Sequence, residues 1–195
     1  MPTTPAALRI IKDEHQAIAA VLYSLRYLVR KAADGQLELD PRLLHAMLDY
    51  IVEFPERLHH PKENRYLFKA LRLRHPQAGA ILDELVEEHV RGEVLIEELK
   101  RALLALETAG PPGLTEFSGV VEKYSDFHWR HMRKEEDIVM PLAEKWLQPQ
   151  DWEQIGAAFR ENDNPLFGIR PQEQFEELLK RILRLAPPPL GDAAR

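Results

Sequence analysis

Four stretches of this chain carry apolar residues at alternating spacings of three and four, and each interrupts that stripe with histidine or glutamate. The first runs Leu8, Ile11, Ile18, Leu22, Leu25 and Val29, with His15 filling the gap after Ile11. The second reads Leu44, Met47, Ile51, Pro55, His59, Glu63 and Tyr66; the third reads Leu82, Leu85, His89, Ile96, Leu99 and Leu103. The fourth reads Val121, Tyr124, His128, His131, Glu135, Ile138 and Leu142. Such spacing predicts amphipathic helices, each with one face turned to a core. No segment alternates with period two for long enough to form a strand. The expected fold is all-α, an up-down-up-down four-helix bundle over residues 5–148.

Turn chemistry agrees with this. "DGQLELDP" ends the first helix and starts the second, with Asp40 as cap and Pro41 at the first helical position. "RHPQAG" separates the second helix from the third, and "TAGPPG" ends the third near Glu107. The fourth helix is expected from about Thr115 to Trp146. Residues 149–195 form a separate C-terminal extension, with helices expected in "PQDWEQIGAAFREN" and "PQEQFEELLKRILRL" before the tail "APPPLGDAAR". Trp152, Phe159, Phe167 and Phe175 of the extension are expected to pack on the bundle; the alternative is that they anchor a protein partner or a second copy of the chain.

The polar interruptions lie at one height. At about 1.5 Å rise per residue, His15 and His59 each stand roughly 27 Å from the turn that joins their helices. Glu63 and His89 are each roughly 18 Å from the next turn, and His89, His131 and Glu135 are roughly 25 to 31 Å from the third. Four imidazoles and two carboxylates in an apolar core are too costly to bury without a partner. A metal ion takes their lone pairs directly. His59–Glu63 and His131–Glu135 are both HxxxE pairs, which put a nitrogen and an oxygen donor one turn apart. A carboxylate has two oxygens and can bridge, so the set suits two metals. The chain has no cysteine, so thiolate sites, iron–sulfur clusters and disulfides are excluded. Imidazole and carboxylate ligands suit iron, manganese or zinc. His45, His60 and His75 are read as non-ligands. His128, on the core face beside His131, is either a supporting partner or a further ligand.

The net charge is −6 with basic and acidic residues interspersed, which disfavours nucleic-acid binding. No apolar run is long enough to span a membrane, and "MPTTPAALRIIKDEH" lacks the pattern of a signal peptide. A cytoplasmic location is expected.

"DEHQAI", "HHPKENRYLF", "EEHVRGEV" and "HMRKEEDIVMP", in that order, resemble the hemerythrin-like (HHE cation-binding) domain over roughly residues 8–147. The resemblance implies a non-heme diiron centre, two irons per chain bridged by carboxylates, on His15, His59, Glu63, His89, His131 and Glu135. It also implies a small ligand, O2, H2O2 or NO, that is bound or reduced in oxidative or nitrosative stress or in iron homeostasis; the alternative is an iron- or oxygen-responsive regulatory module without turnover. Oxygen-carrying members show a second histidine four residues on in the third helix, where this chain has Glu93, and an aspartate where it has Glu136. Glu93 and Glu136 are therefore further candidate ligands, and simple oxygen transport fits less well. Ferritin-like diiron proteins need two ExxH pairs, and only Glu56–His59 is present. Pro61, between His59 and Glu63, frees the carbonyl of Arg57 and is expected to bend the second helix; Pro141 does the same after Glu135. Ile11, Ile18, Ile96 and Ile138 are expected to wall the site.

Overall fold

The computed structural model describes residues 5–160. All regular elements among them are helical. The first rod is α1 (Ala6–Ala33). The second is α2 (Pro41–Ile51), α3 (His60–Lys62) and α4 (Lys69–Arg74), continuous through π-helical turns at Val52–His59 and Glu63–Phe68. After a 3-10 turn at Pro76–Ala78 comes α5 (Gly79–Ala109). The fourth rod is α6 (Pro111–Lys134), a π turn at Glu135–Val139, and α7 (Met140–Trp146). A further helix, α8, spans Pro149–Arg160.

Short connections force successive rods to run antiparallel. α6 packs against both α5 and α1, and α2 against both α1 and α5, which closes the four-helix bundle. The Asp40 cap forms as expected, its side chain accepting from the Arg42 N–H at 2.9 Å. The fourth helix begins four residues before the expected Thr115. Pro111 and Pro112 occupy its first positions, where a missing N–H costs nothing, and Gly110 makes the corner at a φ of 66°. Gly113 lets the two helices close up there, since a Cβ would stand 2.7 Å from the Leu106 backbone.

The prolines of the second and fourth rods do more than bend them. A π turn bonds each amide five residues back, so the His60 N–H reaches the Pro55 carbonyl and the Met140 N–H reaches that of Glu135. Each such turn adds a residue to the helical repeat and rotates the buried face. That overturns one sequence expectation: Ile138 is 42% exposed, and Val139 takes its place in the core. It also brings Glu56 and His60 inward beside His59 and Glu63.

The apolar core falls into two parts. One gathers Leu22, Leu25, Met47, Leu99, Phe117 and Val121; the other gathers Leu8, Phe68, Leu82, Leu85, Met140 and Phe159. Buried polar residues lie between them. α8 packs on α1 and on the π turn at Glu63–Phe68, so the first expected helix of the extension belongs to the described structure. The second, within residues 171–185, lies outside the described residues.

Candidate metal centre

All six predicted side chains are buried and come together between the two apolar clusters. They form two groups of donor atoms, each within 4.8 Å of one another: His15, His59, Glu63 and Glu135, and Glu63, His89, His131 and Glu135. Both carboxylates belong to both groups. Glu63 Oε1 lies 3.6 Å from His15 Nε2 and 3.2 Å from His59 Nε2, while Oε2 lies 3.5 Å from His89 Nε2. Glu135 Oε2 lies 3.3 Å from His15 Nε2, and Oε1 lies 3.5 Å from His131 Nε2 and 3.8 Å from His89 Nε2. Each carboxylate thus turns one oxygen to each pair of histidines.

The outward nitrogens explain this orientation. Nδ1 of His15 donates to Glu136 Oε1 at 2.9 Å, that of His59 to Glu14 Oε2 at 2.7 Å, that of His89 to Asn64 Oδ1 at 3.0 Å and that of His131 to Glu88 Oε2 at 3.0 Å. An oxygen acceptor on every Nδ1 fixes the tautomer, leaving Nε2 as the inward lone pair. These outer partners were not legible in the stripes, because they flank the apolar faces instead of interrupting them; Glu136 stood out only through the family resemblance. Glu136 holds His15 from outside, and Glu93 is exposed and belongs to neither donor group.

A cation fits this donor set. His15 Nε2, His59 Nε2 and all four oxygens of Glu63 and Glu135 are buried without a hydrogen-bond partner among the described residues. His89 Nε2 and His131 Nε2 face each other at 3.0 Å, a contact that needs a proton or a metal between two lone pairs. Without metal, protons fill the role. Burial lowers the affinity of His15 for a proton, but Glu135, Glu136 and Glu63 outweigh it and hold its pKa well above the ordinary value. Burial likewise opposes charge on His59, and Glu63 and Glu14 overcome it to raise its pKa to about 9. Burial and the nearby Glu135 charge push the Glu63 carboxyl up, and His59 and His15 offset both, leaving it at about 2.

His60 and His128 are the buried histidines left over. His60 also brings a nitrogen within reach of His89 and His131. Its ring lies face to face with that of His89, with centroids 4.3 Å apart and planes within 13°. An ion in the plane of the His89 ring would lie out of the plane of His60, so this rotamer stacks and does not ligate. His128 lies beside Glu56, with its Nε2 3.5 Å from Oε1.

Fold and donor set together define a helical bundle built around a cation-binding layer. The chain belongs to the hemerythrin HHE cation-binding domain family, whose model matches residues 6–143. No curated protein and no solved structure matches it. α8 lies beyond the matched residues. None of the described helices is long and apolar enough to cross a membrane.

Proposed function

We propose that this chain is a non-heme diiron protein that binds or reduces a small ligand, O2, H2O2 or NO. The observation that carries the reading is the sharing of Glu63 and Glu135 between two donor groups, with one oxygen of each turned to either side. On this reading His15 and His59 hold one iron, His89 and His131 the other, and the two glutamates bridge. Bound iron would supply the redox chemistry that no side chain of the layer can. The protein's part is to hold and shield. Its outer hydrogen bonds keep every Nε2 pointing inward, and Phe68, buried and stacked on the His89 ring at 5.7 Å, puts an apolar face beside the layer. Residues 5–148 act as the metal-binding unit and 149–195 as an appendage.

One observation favours a regulatory role for the same centre. Phe159 of α8 meets the His59 ring edge-on at 6.0 Å, and Lys62 Nζ donates to the Ala158 carbonyl at 2.7 Å, so the appendage touches a proposed ligand. Anaerobic loading with Fe(II), followed by addition of H2O2 or NO, separates the roles. Repeated consumption of either supports turnover, a single stoichiometric reaction supports sensing, and failure to load iron removes both.

A further inference from the structure

Beside the six-residue layer lies a second buried polar cluster of Glu56, His60, Tyr124 and His128. Tyr124 donates its phenol hydrogen to Glu56 Oε1 at 3.0 Å. The other carboxylate oxygen lies 3.4 Å from His60 Nδ1. α5 makes room with Gly92, where a Cβ would stand 3.1 Å from Glu56 Oε1. The cluster is connected to the layer by rings in contact. Tyr124 and His128 have centroids 4.3 Å apart, and His128 and His131 6.3 Å. A second path runs from His128 to His60 at 5.7 Å and from His60 to His89 at 4.3 Å.

Burial and the charge of Glu56 push the Tyr124 pKa well above its ordinary value, so the phenol keeps its proton. Burial opposes the charge on Glu56, but His128 and His60 outweigh it and hold the carboxyl below the usual range. A protonated phenol therefore faces an ionised carboxylate. Removing an electron from the phenol alone would leave a buried radical cation, which is costly. Passing its proton to Glu56 in the same step leaves both groups neutral.

We propose that Tyr124 is a one-electron donor to the metal centre and Glu56 the acceptor of its proton. This rests on the diiron reading. The need arises when peroxide meets a centre with a single ferrous ion, because a one-electron reduction would release hydroxyl radical. With Tyr124 as second donor, H2O2, one Fe(II), the phenol, the Glu56 carboxylate and two protons from solvent become two waters, one Fe(III), a Tyr124 phenoxyl radical and a Glu56 carboxylic acid. The O–O and phenol O–H bonds break; two O–H bonds form on the water oxygens from the solvent protons, and one forms on Glu56 from the phenol proton.

The test uses the full-length chain, loaded with iron, half-oxidised, mixed with H2O2 and frozen for electron paramagnetic resonance, with iron content measured on every sample. An organic radical is expected whose spectrum changes when the tyrosine rings are deuterated. Tyr124→Phe abolishes it and Tyr66→Phe retains it. Glu56→Gln, which can accept the hydrogen bond but not the proton, lowers its yield by about tenfold or more. A fully loaded wild type without a radical, a radical insensitive to deuteration, or one that persists in Tyr124→Phe overturns the proposal. Full yield in Glu56→Gln overturns the part given to Glu56. Failure of the wild type to take up iron overturns the diiron reading and this proposal with it.

Discussion

Two buried polar clusters touch inside this bundle, and they treat protons in opposite ways. In the layer, His15, His59 and His131 are all pushed toward the charged imidazolium despite full burial. In the neighbouring cluster, burial dominates. It drives His60 down to about 3 and lowers His128, so both stay neutral. The difference is the supply of carboxylates. Four imidazoles of the layer are surrounded by Glu63 and Glu135 inside and by Glu14, Glu88 and Glu136 outside. His60 and His128 share Glu56 with a phenol. Burial alone discharges a histidine; burial among surplus carboxylates makes it attract positive charge. In this bundle the histidines drawn toward positive charge are those that lie among Glu63, Glu135 and the outer carboxylates.

Removing carboxylates should erase the difference between the two clusters most directly. Glu63→Ala and Glu135→Ala should each abolish most iron binding, because each removes a donor from both groups. Glu56→Ala in the neighbouring cluster and Glu116→Ala on the exposed surface should leave iron content unchanged, as elemental analysis after anaerobic loading would show. Next comes stability. Metal bound only to the folded chain stabilises it by about 4 kcal/mol at a thousandfold excess over Kd, several degrees or more in Tm. Replacing His15, His59, His89 and His131 together with leucine should erase that iron dependence. It should also raise the Tm of the metal-free protein, since the layer would then be apolar.

A smaller effect is expected from the outer partners. Glu14→Ala leaves His59 without its acceptor and should weaken iron binding by about 10–100-fold while keeping the stoichiometry, measurable by competition with a chelator. pH sharpens the contrast further. The folded pKa of His59, about 9, is above its ordinary 6.5, so its contribution to metal-free stability is complete below 6.5 and is lost as pH rises through 9. For Glu63 the shift is downward, from 4.5 to about 2, so its contribution is present above 4.5 and lost as pH falls through 2. The Tm of the metal-free protein should fall between pH 6.5 and 9. Iron replaces the His59 proton and should flatten that decline, and iron uptake near pH 7 should release protons.

The layer itself was legible in the sequence. A histidine or glutamate in an otherwise apolar stripe is conspicuous, and helical rise places all six at one height. The neighbouring cluster was only half legible: Tyr124 and His128 lie in the fourth stripe, but Glu56 and His60 do not lie in the second. They turn inward because the π turns around Pro55 and Pro61 rotate the helix, a change that a regular 3.6-residue period cannot express. The same rotation at Glu135–Val139 exposes Ile138 and buries Val139. Glu14, Asn64 and Glu88 escaped notice for another reason. They reach the histidines from the flanks of their helices, where polar residues are ordinary.

Anaerobic titration of the metal-free protein with Fe(II), compared with the Glu63→Ala/Glu135→Ala double variant, shows directly whether the six residues form a two-metal centre. Saturation at two irons per wild-type chain is expected, with no tight uptake by the variant. No tight uptake by the wild type, or uptake by the variant equal to it, would contradict the assignment and leave the layer a proton-bridged core network.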